Sequence, residues 1–143
     1  KGFEDLPLSH TLPIGETDSE HAFCWMIGQL HDYYESEPDD PIEVFQRIAS
    51  YADILREKGV FNMLLTNGEY VMCYCSTQLH WLTRKSSFYT TQLIDEDLEI
   101  DFAKETRPCD IATIIATNPL TDEAWIKMQP GEFCVFRHGK RIL

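Results

Sequence analysis

Basic residues are scarce in this chain. Twelve lysines and arginines stand against 24 aspartates and glutamates over 143 residues, a formal charge of −12. Nucleic acids and anionic membrane surfaces are recognised through a basic footprint, so neither is an expected partner. Long apolar runs are missing as well. Nothing approaches the roughly 20 apolar residues that a membrane-spanning helix requires, and no basic-then-apolar signal segment opens the chain. Metal-ligand spacing is also absent, because Cys73 and Cys75 are separated by one residue and no other Cys or His pair has zinc-site spacing. No metal and no cofactor is therefore expected. There is no internal repeat and no low-complexity tract. The chain opens on Lys1 rather than methionine, and the expectation is a fragment of a longer protein.

What is present describes an ordinary soluble globular domain. Apolar residues make up 43% of the chain and the mean hydropathy is −0.29, enough for a core at this length. Five cysteines without secretory features predict reduced, buried thiols and a cytoplasmic location. The acids are dispersed apart from Glu35 to Asp40, as on a solvated surface.

The chain is organised around one helix start. Thr17 and Glu20 have the spacing of a capping box, and Ala22, Phe23, Met26, Ile27 and Leu30 follow at helical period. The spacing predicts a helix over residues 18–34, launched from a tight loop at Gly15, with Glu16, Asp18 and Glu20 gathered at its positive end. Acids there complement the helix dipole, which is the plain explanation. The sharper one is that Asp18 points into a pocket and holds a cationic group.

Ahead of this helix, residues 1–14 carry Pro7 and Pro13 and read as an extended arm. Behind it, Pro38 ends the charged stretch. Asp40, Pro41 and Glu43 then announce a second helix with a capping box, running to Lys58, with Val44, Phe45, Ile48, Ala49, Ala52 and Leu55 inward. Gly59 fits a left-handed stop. The period then changes to that of strands. Residues 60–66 and 69–76 form a hairpin about Asn67-Gly68, and the run Tyr70 to Cys75, apolar on both faces, reads as covered on both. Residues 79–84 predict a third strand. Residues 85–108 read as irregular, with short strands near 91–94. A buried strand follows over 111–117, then a loop over 121–125, and Phe133 to Arg137 pairs with 140–143 across a His138-Gly139 turn. Two amphipathic helices followed by antiparallel hairpins make an α+β architecture.

Gly15-Glu16-Thr17-Asp18-Ser19-Glu20, running into Ala22-Phe23-Cys24-Trp25, resembles the glutamine-site loop of the class II glutamine amidotransferases. The likeness continues through Lys58 to Leu65, Tyr74 to Thr77, Leu79-His80-Trp81, Ala116 to Thr121 and Pro130-Gly131-Glu132, and so covers nearly the whole chain in order. The closest likeness is to the small stand-alone bacterial members. It implies the four-layer αββα sandwich of the N-terminal-nucleophile hydrolases. In that reading residues 1–143 are the C-terminal part of a single such domain, incomplete at its N-terminal side.

The resemblance also implies roles. In that family the aspartate of the Thr-Asp-Ser-Glu run binds the α-amino group of glutamine, and here that position is Asp18. Glu16 is expected to line the pocket, and Thr17 to sit beside it, chiefly as a cap. The family's nucleophile is a cysteine at the mature N-terminus with its own α-amine as base. None of the five cysteines lies near Lys1, so no catalytic residue is assigned in this chain. The family's Asn-Gly oxyanion pair lies upstream of the aspartate loop, so that role does not pass to Asn67-Gly68. His80 on its strand is expected to be a hydrogen-bonded core residue, Trp25 and Trp125 core aromatics, and Glu132 structural in its turn.

The expected activity of the intact protein is hydrolysis of the glutamine side-chain amide through a cysteine thioester. A γ-glutamyl peptide such as glutathione is an alternative substrate, and a non-catalytic interaction module is the alternative from another class. Whether an acceptor domain or partner protein receives the ammonia is left open.

Overall fold

Thr17 ends an extended segment and starts the first helix. Its backbone is extended (φ −84°, ψ 142°), and its hydroxyl accepts a hydrogen bond from the Glu20 amide at 3.3 Å. In the computed structural model, which describes residues 2–36, 40–85, 90–92, 99–101 and 111–143, helix α1 spans Asp18–Tyr34 and helix α2 spans Pro41–Lys58. Both agree with the boundaries that capping residues and proline predict. The chain divides into two units, residues 1–61 and 62–143.

The first unit contains both helices. They meet edge to face through Trp25 and Tyr51, ring centroids 5.8 Å apart, and the Tyr51 hydroxyl donates to the Gln29 carbonyl at 3.4 Å. On α2 the buried residues are Val44, Phe45, Ile48, Ala52 and Leu55, close to the predicted stripe. On α1 the inward face differs from expectation. Cys24, Trp25 and Gly28 are buried beside Ala22, Met26 and Leu30, whereas Phe23 is 47% exposed. The arm is not simply extended either. Phe3–Asp5 forms a 3-10 turn, Phe3 and Leu6 are buried, and Phe3 packs edge-on against Phe61 at 5.8 Å.

Two caps depart from prediction. Asp40 accepts from the Ile42 amide at 2.8 Å and Glu43 takes the Tyr33 hydroxyl at 3.2 Å, so no reciprocal box forms. Gly59 follows α2 with φ 176°; this is extended backbone, and the left-handed stop expected there is not used.

In the second unit, β1 (Met63–Thr66), β2 (Tyr70–Tyr74), β8 (Phe133–Arg137) and β9 (Lys140–Arg141) form an antiparallel sheet in the order β1-β2-β8-β9. A second antiparallel sheet has the order β6-β3-β7, from β3 (His80–Lys85), β6 (Ile111–Ala116) and β7 (Ile126–Lys127). β4 (Thr90–Gln92) pairs with β5 (Glu99–Asp101). β5 and β7 are additions to the strands predicted. β6 is partly buried rather than buried. Most of the weakly patterned region expected over 85–108 lies outside the described residues.

The core of this unit is a cluster of Cys73, Cys75, Leu79, Met128, Cys134 and Phe136, with Trp81 and Ile115 packed against it. Both larger sheets contribute to it. Met72 and Tyr74, which alternate with the cluster residues along β2, are buried as well, as the unbroken apolar run predicts. The β1–β2 hairpin is present, but Thr66 pairs with Val71, leaving a four-residue loop. There Asn67 Oδ1 accepts from the Glu69 and Tyr70 amides at 3.1 and 2.9 Å, and Gly68 has φ 89°. The last hairpin is tighter. His138 (φ 49°) and Gly139 (φ 70°) both have positive φ between the paired Arg137 and Lys140, a type I′ arrangement.

Candidate functional site

The predicted site residues are brought together by the way the arm returns to the helix. Leu6 is fixed by its burial and by its carbonyl, which accepts a hydrogen bond from His21 Nε2 at 3.0 Å. Eight residues later the Ile14 and Gly15 amides donate to the Glu20 carboxylate at 2.8 and 2.9 Å. Glu20 thus does not close a capping box on Thr17. It reaches past the cap and holds the loop. A Cβ on Gly15 would stand 2.7 Å from Glu20 Oε2, so a larger residue there would make the glutamate carboxylate shift.

Between arm and helix start lies a cavity of about 320 Å³, lined by Glu4, Pro13, Gly15, Glu16, Thr17, Asp18 and His21. Glu16, Thr17 and Asp18, predicted from sequence, therefore share one cavity wall. Glu4, Pro13 and His21 were not predicted there, because they reach the wall through the fold of the arm and the turn of the helix. Asp18 is exposed and is the first helical residue. Its Oδ1 accepts from the Ser19 amide at 2.7 Å and from the Ser19 hydroxyl at 3.3 Å, which orients the carboxylate.

The electrostatics of this wall are one-sided. Three carboxylates, from Glu4, Glu16 and Asp18, line the cavity, and among the described residues no lysine or arginine does. Glu16 and Asp18 flank the N-terminal end of α1, where acidic side chains complement the helix dipole. Such a wall suits a small cation with hydrogen-bond donors, above all an ammonium group.

The remaining candidates are structural. His80 is 8% exposed and its Nδ1 lies 2.9 Å from the Thr117 carbonyl, a hydrogen-bonded core histidine as expected. Trp125 Nε1 donates to Thr121 Oγ1 at 3.0 Å. Glu132 accepts from the Gln129 amide at 2.8 Å and pairs with Arg141 at 3.4 Å, which fixes its turn. His138 is a turn residue. Asn67-Gly68 forms the turn of its hairpin.

Among the described residues no thiol is placed as a nucleophile. Cys24, Cys73, Cys75 and Cys134 are all buried and unbridged. Cys73 and Cys134 face each other across β2 and β8. The hydrogen bond between their thiols lowers the pKa of Cys73, while Cys134 is pushed far above the usual thiol range by the same bond and by burial.

Comparison with known proteins bears on the family. The sequence model of the family described as "Glutamine amidotransferases class-II" matches residues 1–143. The chain is 51% identical over 143 residues to the Escherichia coli K12 protein named "Putative glutamine amidotransferase YafJ", covering 99% of this chain and 56% of that one. It is 36% identical over 149 residues to the uncharacterized protein MJ1515 of Methanocaldococcus jannaschii, covering 99% of this chain and 40% of the relative. Its fold is similar to the crystal structure of a predicted glutamine amidotransferase from Pseudomonas aeruginosa PA01. The TM-score is 0.82 at 38% identity, over 97% of this chain and 56% of that one. The chain thus spans about half the length of the relatives it matches. With an α+β fold like that of the solved structure and a family match over its whole length, this chain belongs to the class II glutamine amidotransferases.

Proposed function

We propose that the cavity at the head of α1 binds the amino-acid end of glutamine, with Asp18 accepting from the α-ammonium group. The observation that carries this reading is the cavity wall itself: three carboxylates and, among the described residues, no lysine or arginine, at the family's Thr-Asp-Ser-Glu motif. Glu16 adds negative charge to the wall. Thr17 holds the loop geometry through its cap.

In the intact protein, residues 1–143 form the C-terminal part of one amidotransferase domain. A cysteine at the mature N-terminus, outside these residues, attacks the side-chain carbonyl carbon of glutamine. Its α-amine takes the thiol proton and returns one to the leaving nitrogen. The C–N bond breaks, ammonia departs and a γ-glutamyl thioester remains, which water hydrolyses to glutamate and free thiol. A γ-glutamyl peptide offers the same acyl and ammonium groups and is the alternative substrate of the same site. Reduced buried thiols fit a cytoplasmic location.

The test is glutaminase kinetics of the intact protein with and without Asp18→Ala. A charge-assisted hydrogen bond contributes about 1.5–3 kcal/mol, so KM for glutamine should rise roughly 10- to 150-fold. Because the ammonium is held equally in ground and transition states, kcat should change little. An unchanged KM would remove Asp18 from the site.

A further inference from the structure

Three metal-ligand side chains from two distant stretches of sequence meet at the C-terminal half of α1. Gly28, His31, Asp32 and Glu35 have the i, i+3, i+4, i+7 spacing of one helical stripe, although Glu35 is the capping residue just past the last turn. The arm crosses this stripe at Gly28. A Cβ there would lie 2.7 Å from Ser9 Oγ and 3.8 Å from the His10 amide nitrogen, so Ser9 and His10 lie directly against the helix at this glycine. From there His10 reaches the next turn of the stripe. His10 Nε2 sits 2.6 Å from Asp32 Oδ1. The His10 and His31 rings stack with centroids 4.0 Å apart and planes 18° from parallel. One ligand atom from each of His10, His31 and Asp32 lies within 4.8 Å of the other two.

We propose that His10, His31 and Asp32 form a surface site for one divalent transition-metal ion of the zinc class, clipping the arm to α1. Two imidazole nitrogens and one carboxylate oxygen are a donor set for Zn²⁺, Co²⁺ or Ni²⁺, whereas Mg²⁺ and Ca²⁺ prefer oxygen alone. Ligand atoms about 2.0–2.2 Å from a tetrahedral ion stand roughly 3.4 Å apart. The three side chains are 38%, 50% and 55% exposed, so modest rotations reach that geometry without disturbing a core. Glu35 Oε1 lies 3.8 Å from His31 Nδ1, beyond a hydrogen bond as it stands but close enough for a small side-chain rotation to make the carboxylate contact that orients a ligating imidazole. The clip closes an arm whose far end, at Pro13 and Gly15, lines the cavity beside Asp18. Sequence spacing does not reveal the site, because its first ligand lies 21 residues from the second and joins it only through the arm.

The test is calorimetric titration of the tag-free, chelator-stripped intact protein with ZnCl₂, and separately with MgCl₂. One equivalent of Zn²⁺ should bind, Mg²⁺ should not, and the melting temperature should rise with Zn²⁺ concentration. His10→Ala and His31→Ala should each weaken Zn²⁺ binding at least tenfold, and Asp32→Asn less. Each variant is also melted without metal. His31→Ala removes only an exposed helical side chain, so it keeps the test decisive if His10→Ala fails to fold. Absence of Zn²⁺ binding, equal binding of Mg²⁺, or Zn²⁺ binding that survives His31→Ala undiminished would overturn the site.

Discussion

At the scale of single residues, the loop before α1 depends on two side chains that divide one task. Thr17 satisfies the Glu20 amide, while the Glu20 carboxylate satisfies the amides of Ile14 and Gly15. Removing the cap in Thr17→Ala should cost about 1 kcal/mol, read from the urea midpoint at unchanged slope. Glu20→Ala should act differently, because it frees the loop that shapes the cavity. We expect KM for glutamine to rise several-fold although Glu20 does not line the cavity, and Glu20→Gln to recover part of the loss through its one remaining acceptor oxygen. A KM unmoved by Glu20→Ala would show that the loop keeps its shape without the carboxylate. The Thr17–Glu20 spacing was legible in the sequence, but the destination of the glutamate was not. Spacing rules count residues along a helix, and the amides that Glu20 takes belong to a chain segment folding back on it.

At the scale of elements, explicit punctuation was read well and facing was read less well. The limits of α1 and α2 follow from Thr17, Asp40 and Pro41. The inward face of α1 did not follow, because Ala22 to Ile27 is apolar at six consecutive positions and periodicity cannot choose among them. Strand β7 was missed for a related reason, since its place depends on a polar anchor. Arg84 on β3 is buried and forms a two-pronged ion pair with Glu123, its Nε donating to Oε1 at 3.0 Å and its Nη2 to Oε2. Thr121 donates to the same carboxylate at 2.7 Å, so the segment leading into β7 is tied to β3. Removing one side of a largely buried pair forfeits the attraction that offsets the desolvation of the other. Because Glu123 remains 28% exposed, Glu123→Ala should destabilise the protein by about 2–3 kcal/mol rather than the full buried-pair cost, measured by urea unfolding. A loss below the usual surface value of about 0.5 kcal/mol would mean that water replaces Glu123 at little cost. Gly139 makes a second element-level case. It has φ 70°, and a Cβ there would lie 2.8 Å from the carbonyl carbon of Ile111. Thr113 Oγ1 also donates to the Gly139 carbonyl at 2.9 Å. Gly139→Ala should therefore cost more than the ~1 kcal/mol typical of a left-handed position alone.

At the scale of the whole molecule, the proposed thioester reaction raises the question of which thiol would carry it. Reactive cysteines are partly exposed in electropositive surroundings, and thiols buried in apolar surroundings are inert. Cys73, Cys75 and Cys134 sit in the core cluster of the second unit, and Cys24 is 3% exposed on the inward side of α1. A glutamine-shaped chloroketone distinguishes such thiols from a nucleophile, because a positioned thiolate displaces its chloride and keeps the label as a thioether. In the intact protein, peptide mapping after such labelling should place the adduct on a cysteine outside residues 1–143. Activity should fall in proportion to labelling, and excess glutamine should protect. Asp18→Ala should slow labelling at a fixed reagent concentration, since the same ammonium group guides the reagent in, yet leave the labelled position unchanged. An adduct on Cys24, Cys73, Cys75 or Cys134 that abolished activity would place the nucleophile within the described core and contradict the proposed division of labour. Under that division, this chain grips the amino acid and a cysteine elsewhere in the protein cuts its amide.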